Sequence, residues 1–261
     1  MVKIIDVRLR TSDNIELSSR FVIPVGSGPH PGLVICHGMP AGQENKVNST
    51  IGPEKIDLDY NTMAELCAWE GFATLIFNFR GTGASEGNFH PLGWAEDLFC
   101  ALDWIKSRDE VDNERVVLMG SSFGAVIAIY VASRSLDVAG LVSFASPART
   151  NATRSAEELI NRMRDIGIIR DKDFPNSYVD FLKEYEVINP YNSIHRISPR
   201  PTLFVHGKED DVVSVANAYD LYERALEPKS IEILEKVGHR FRSEPGAISV
   251  CLSWLRSNFV E

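Results

Sequence analysis

The chain has 261 residues, enough for one substantial core, and its 44% hydrophobic and 24% charged content is ordinary for a soluble globular protein. Asp and Glu number 36 against 27 Lys and Arg, giving a net charge of −9 that no basic cluster offsets, which argues against nucleic acid or an anionic membrane as partner. No apolar stretch is long enough to span a bilayer, and the opening Met1-Val2-Lys3-Ile4-Ile5-Asp6 meets a charge too early for a signal sequence, so a cytoplasmic location is expected.

Alternation over residues 3–10 and 15–23, around the polar turn Ser12-Asp13-Asn14, predicts a hairpin. Beyond the Pro- and Gly-rich loop 24–31 the pattern changes to strand-then-helix units. Gly32-Leu33-Val34-Ile35-Cys36 is continuously apolar, as a strand covered on both faces must be. Residues 63–69 have helical spacing and stop at Gly71, and residues 72–79 form the next buried strand. A helix over 92–108 carries Trp94, Leu98, Ala101, Leu102 and Ile105 on one stripe; a strand at 115–119, a helix at 122–135 and a strand at 140–145 follow.

From residue 149 to about residue 197 this rhythm breaks. Leu159, Ile160, Met163, Ile166 and Ile169 fit one amphipathic helix, and Phe174, Tyr178, Phe181, Leu182 and Tyr185 fit another. Both stripes are rich in large apolar side chains. They predict a cap over the carboxyl edge of the sheet, with Phe174, Tyr178, Phe181 and Tyr185 either lining a substrate pocket or packing on the body. A strand at 201–206, a helix at 215–226, a strand at 231–234 and a terminal helix at 245–259 resume the pattern. Alternating strands and helices imply an α/β architecture with a mostly parallel sheet, right-handed crossovers and helices on both faces. The core is expected from residues 1–148 and 199–261, with 149–198 as a helical insertion.

The four cysteines, Cys36, Cys67, Cys100 and Cys251, lie far apart inside apolar segments with no Cys-x-x-Cys spacing. Free thiols are expected, not a zinc site or a disulfide framework. Cys36, next to a strand end, is the one with an opening for reactivity.

Most chemical information sits in Gly120-Ser121-Ser122-Phe123-Gly124, between the apolar runs Val116-Val117-Leu118-Met119 and Ala125-Val126-Ile127-Ala128-Ile129-Tyr130. Gly-x-Ser-x-Gly between a strand and a helix is the pattern of a nucleophile elbow, although a bare glycine-serine turn also matches it. A serine hydroxyl needs a base, and the base works best when a carboxylate orients it. In this architecture the partners follow in the order serine, acid, histidine, each in a loop after a later strand. His239 in Val237-Gly238-His239-Arg240-Phe241 occupies the base slot. His30, His90 and His195 lie elsewhere, and His37 and His206 end strands before glycines, where a ring usually bonds to nearby backbone. For the acid, Asp210 and Asp211 compete, with Glu209 third.

His206-Gly207-Lys208-Glu209-Asp210-Asp211-Val212-Val213 resembles the His-Gly-x-x-Asp-x-x-Val segment of the α/β-hydrolase superfamily, which implies Asp210 as the acid. Leu33-Val34-Ile35-Cys36-His37-Gly38 is similar to the strand of that superfamily ending in His-Gly, and Arg80-Gly81-Thr82-Gly83-Ala84-Ser85-Glu86-Gly87 to its Arg-Gly-x-Gly-x-Ser-x-Gly turn. That turn lacks the Lys-Ser/Thr ending of a phosphate-binding loop. The resemblance spans nearly the whole chain. It implies an α/β-hydrolase fold on a mostly parallel eight-stranded sheet, with the backbone N–H groups of Met39 and Phe123 as the oxyanion hole. Small carboxylesterases, including the cinnamoyl and feruloyl esterase group, are most similar, and serine aminopeptidases and acyl-peptide hydrolases share the motifs. A small ester with an aromatic or medium-length acyl group is the expected substrate, with no cofactor and no metal; a homodimer is left open. Cleavage of an amide or thioester by the same residues is the enzymatic alternative, and a catalytically silent binder of a hydrophobic ligand is the non-enzymatic one.

Overall fold

The opening alternation folds into β1 (Val2–Arg10) and β2 (Glu16–Pro24), paired antiparallel. They lie within a computed structural model that describes residues 2–40, 59–150 and 155–260. β2 runs antiparallel to β4 (Ala73–Phe77). β3 (His30–Cys36), β4, β5 (Val111–Ser121), β6 (Gly140–Phe144), β7 (Thr202–Gly207) and β8 (Lys229–Leu234) run parallel to one another. The order across the eight-stranded sheet is β1-β2-β4-β3-β5-β6-β7-β8. Parallel strands joined by crossover helices bring the carboxyl ends of β3, β5, β6, β7 and β8 to one edge.

Period-two alternation divides the central strands between two cores. Val34, Val116 and Leu118 face one apolar cluster, shared with α2 (Pro91–Lys106) and α3 (Phe123–Ala132). Leu33, Ile35, Val117 and Met119 face the other, shared with α1 (Tyr60–Trp69) and α7 (Pro245–Phe259). α6 (Ala216–Arg224) adds Leu221 to the first. Trp94, Phe21, Phe79, Phe89 and Phe144 are each at most 1% exposed; burying a side chain of this kind contributes about 1.5–3 kcal/mol. α3 is apolar all round because the sheet, α2 and the insertion cover every side of it. Cys36, Cys67 and Cys251 are buried free thiols, and burial raises the Cys36 thiol far above its usual range and Cys67 to about 12. That removes the opening for reactivity at Cys36 near neutral pH.

The insertion forms two helices, with ends that differ from the stripes drawn on the sequence. α4 (Ala156–Ile166) starts in a capping box between Ser155 and Glu158 and stops at Gly167, whose φ of 86° turns the chain, so Ile169 lies beyond it. α5 (Tyr178–Val187) is capped by Ser177, and Pro175 holds the preceding chain out of the helix, so Phe174 belongs to the connecting segment. Of the expected insertion, residues 151–154 lie outside the described residues.

Polar contacts dock these helices on the body. The Phe89 N–H donates to the Ile168 carbonyl at 2.8 Å, and the Arg170 guanidinium donates to the carbonyls of Ser85 and Gly83 at 2.8 and 2.9 Å. Glu184 of α5 accepts from the Leu92 N–H at 2.9 Å and lies 3.0 Å from His90 Nδ1, at the start of α2. Beneath them Arg80, with a side chain 4% exposed, donates through Nε to Asp97 Oδ1 at 2.8 Å and through its backbone N–H to Asp97 Oδ2 at 2.7 Å. Burial lifts the Asp97 carboxyl to about 6 against the pull of Arg80. The Arg-Gly turn is therefore a structural corner whose arginine is spent inside the protein.

Candidate active site

Ser122 follows directly on β5 and precedes α3, with φ 52° and ψ −123°. A non-glycine residue there is strained, and the strain is held by close packing on either side. A Cβ on Gly124 would lie 2.3 Å from the His37 carbonyl oxygen, and one on Gly120 would lie 2.5 Å from the Gly124 carbonyl oxygen. Only hydrogen fits at either place, so the start of α3 presses against the end of β3. The Ser122 N–H donates to the Phe144 carbonyl at 2.8 Å, tying the turn to β6.

The loops after β7 and β8 meet in the same way. A Cβ on Gly207 would lie 2.2 Å from the Val237 carbonyl oxygen, and the Glu209 N–H donates to that oxygen at 3.0 Å. Phe241 stacks on Phe144 with centroids 4.0 Å apart, anchoring the segment after His239 to the end of β6. Three distant stretches of chain thus converge. His239 Nε2 lies 3.1 Å from Ser122 Oγ, and its Nδ1 lies 2.8 Å from Asp210 Oδ2. With the carboxylate accepting at Nδ1, that nitrogen carries the hydrogen and Nε2 is left to accept the serine proton.

Asp210 has a fully buried side chain, and its Oδ1 accepts from the Val212 and Val213 N–H groups at 2.9 and 2.8 Å. Asp211 and Glu209, the other acids considered for this slot, are exposed. The His239 side chain keeps 19% of its surface, so a bound substrate can reach it.

On the other flank His37 fixes the segment that follows β3. Its Nδ1 donates to the Gly38 carbonyl at 2.7 Å, and its Nε2 accepts from the Phe79 N–H at 3.2 Å. The carbonyl of one trans peptide and the next N–H point opposite ways, so this bond turns the Met39 N–H away from the ring. A Cβ on Gly38 would lie 3.1 Å from Ser122 Cβ, which places this peptide against the serine. The Phe123 N–H, in the first turn of α3, adds a second donor at a helix N-terminus, where developing negative charge is favoured.

Burial lowers the His37 ring from 6.5 to about 4, with Arg242 adding to the shift, and also lowers His206. Because the folded value is depressed, the unfolded chain takes up the proton first on acidification. The stability contributed by neutral His37 is present above about 6.5 and is lost as pH falls toward 4. Asp97, raised to about 6, acts in the opposite sense. The His37 share, about 2 kcal/mol between pH 7 and pH 5, is read as the difference between urea titrations of the wild type and of a variant lacking the imidazole, since Asp97 is common to both. In His37→Asn, which keeps a donor for the Gly38 carbonyl, the change in stability from pH 7 to pH 5 is expected to be more favourable than in the wild type by that amount.

An aromatic cluster joins the site to the insertion. Trp94 stacks on Phe79 at 4.4 Å and lies 5.7 Å from Phe123; Phe89 lies 5.7 Å from Phe123 and 6.2 Å from Phe181; Tyr185 lies 5.9 Å from Phe123. Of the rings expected to face a pocket, Tyr185 thus sits beside the residue following the serine, and Phe181 lies one ring further out, against Phe89 and Tyr185. Phe181 is 2% exposed and Tyr185 8%, so most of each ring is packed. Phe174 instead lies against His90, at 5.8 Å, and Tyr178, in the first turn of α5, is 40% exposed. The sequence reading puts Trp94 on a core stripe, whose spacing does not tell a site-flanking ring from a core one, and leaves Phe89 unnamed because it lies in the loop before α2, outside any period. Among the described residues no three His, Cys, Asp or Glu side chains converge as a metal site would require.

Comparisons with known proteins agree with this architecture. The family model of the prolyl oligopeptidase family (peptidase S9) matches residues 58–250. The uncharacterised protein Rv2307c of Mycobacterium tuberculosis is 23% identical over 234 residues, covering 90% of this chain and 72% of the relative. YfhR of Escherichia coli K12 is 28% identical over 177 residues, covering 67% of this chain and 56% of that relative. Among solved structures, the α/β hydrolase GrgF from a Penicillium superposes with a TM-score of 0.75 at 19% identity, over 99% of this chain and 100% of that one. An acetyl xylan esterase from Paenibacillus gives 0.73 at 18% identity, over 99% and 84%. The esterase domain of a Rhodothermus marinus protein gives 0.69 at 22% identity, over 98% of each chain. With the α/β-hydrolase fold and a family match over most of its length, the chain belongs to the prolyl oligopeptidase family of hydrolases.

Proposed function

We propose that this hydrolase is a serine carboxylesterase working through an acyl-enzyme, with Ser122 as nucleophile, His239 as general base and acid, and Asp210 as the group that orients the imidazole. The observation that carries this reading is the unbroken line Asp210–His239–Ser122, at 2.8 and 3.1 Å, ending on a serine in strained backbone. His239 takes the Ser122 proton as Oγ bonds to the ester carbonyl carbon. The carbonyl oxygen gains the negative charge and rests on the N–H groups of Met39 and Phe123, each worth about 3 kcal/mol to the transition state. Collapse of this intermediate breaks the bond to the alcohol oxygen, which leaves with the proton from His239. Water then gives its proton to the same ring as it attacks the acyl carbon, and the returning proton restores Ser122 as the acid departs.

The acyl group would lie against Phe123 and Tyr185, the two most exposed of the buried rings near the serine, which suits an aromatic or medium-length chain. The family match favours a second reading, in which the same groups cleave a peptide or amide bond. A panel of nitrophenyl esters of graded acyl length and hydroxycinnamate esters, run beside aminoacyl-anilides and an acyl-thioester, separates these readings. Ester turnover with a preference above acetyl supports the first, and anilide turnover without it supports the second. Absence of Ser122 labelling by a fluorophosphonate would leave only a silent ligand binder.

A further inference from the structure

A His-Gly pair follows β3 and another ends β7, where the ring faces the loop that carries the acid. His206 Nε2 lies 2.8 Å from the Val213 carbonyl oxygen and 3.2 Å from Asp210 Oδ2, with side chains 1% and 0% exposed. Both neighbours are acceptors, so Nε2 carries the hydrogen. Burial holds this ring below the usual histidine range in spite of the carboxylate, and so favours its neutral form. Val213 is then held at both of its polar groups, its carbonyl on His206 and its N–H on Asp210 Oδ1 at 2.8 Å.

The backbone bonds from Glu209 to Val237 and from Asp210 to Gly207, at 3.0 and 3.4 Å, hold the near side of the loop, and its far side has little to fix it. Asp211 is exposed and Val212 is 68% exposed, so apolar packing does not hold the turn between Asp210 and Val213. A carboxylate rotates readily about its last torsion, and the N–H groups that orient Asp210 are only as fixed as the residues bearing them. On the triad reading above, we infer that His206 is a positioning residue: its Nε2–H straps the Val213 carbonyl so that Asp210 Oδ2 stays on His239 Nδ1. Nothing in the strap touches substrate. It acts through Asp210, and the titratable groups that face it are that carboxylate and, across it, His239.

The test compares His206→Phe, which lacks the donor, with His206→Gln, whose amide nitrogen falls near the place of Nε2. Nitrophenyl acetate turnover is followed from pH 5 to pH 9. His206→Phe is expected to lower kcat about 100-fold, as misplacement of a catalytic group by an ångström does, with KM nearly unchanged. Its acidic limb is expected at lower pH, because the His239 imidazolium loses part of its counter-charge. His206→Gln is expected to recover most of kcat and the wild-type limb. If His206→Phe fails to fold by circular dichroism, His206→Asn replaces it, since its amide reaches the place of Nδ1; Gln active with Asn impaired supports the strap. Wild-type kcat and limb in His206→Phe overturn it, as does equal impairment of the variants with an unmoved limb. Ser122→Ala, run alongside, keeps the outcomes apart: an inactive Ser122→Ala with an unimpaired His206→Phe removes only the strap, whereas an active Ser122→Ala removes the triad itself.

Discussion

Replacing Ser122 by alanine is expected to lower kcat for nitrophenyl esters by about a million-fold and to leave the fold in place. Alanine carries the same Cβ, so the backbone at φ 52° is no more strained than with serine, and the Ser122 N–H bond to Phe144 does not involve the side chain. What disappears is the oxygen that His239 Nε2 faces at 3.1 Å. On the proposed mechanism the variant retains the Met39 and Phe123 N–H groups and the substrate contacts, so a residual rate about 1,000-fold above that in water is expected from these alone. Steady-state turnover and mass-spectrometric detection of an acyl adduct check it together. Wild-type turnover, or an adduct on another residue, would remove Ser122 from the chemistry.

Asp210→Asn is expected to cost about 10,000-fold in kcat with little change in KM. The cause is a tautomer, not a lost contact. The Val212 and Val213 N–H groups require an acceptor, so the asparagine carbonyl turns toward them and its amide faces His239 Nδ1. Two donors cannot face each other. Nδ1 must then give up its hydrogen, and Nε2, now protonated, cannot accept from Ser122. Fluorophosphonate labelling of Ser122 should slow along with turnover, whereas Asp211→Asn, on an exposed neighbour, should label at the wild-type rate. The reverse pattern would move the acid to Asp211.

The elements were legible to the extent that their residues carried a period. The run 32–36 within β3 and the whole of α3 stand out because each is apolar throughout, α3 between Ser122 and Ser133. The ends of α4 and α5 were not, because Ile169 and Phe174 continue the apolar spacing while Gly167 and Pro175 stop the helices. Local backbone preference prevailed over hydrophobic phase at both. The rings of the insertion divided for a related reason. Phe181 and Tyr185 fall where α5 crosses Phe89 and Phe123, while Tyr178 sits at the open end of the same helix. Spacing gives the stripe but not how much of it the neighbouring helix covers.

The sequence by itself determined the alternation that builds the sheet, the serine set between a strand and a helix, and the order in which candidate acid and base follow it. These are local properties, written in composition and period. Which acid meets which histidine, and that His206 and His37 brace the two flanks of the site, was decided only in the tertiary structure. Residues 122, 210 and 239 become neighbours because parallel strands end at one edge, and a contact across 117 residues of chain leaves no local signature. Distances of 2.8 and 3.1 Å follow from glycines that let whole loops touch, and from a buried carboxylate that must find its donors wherever the fold puts them.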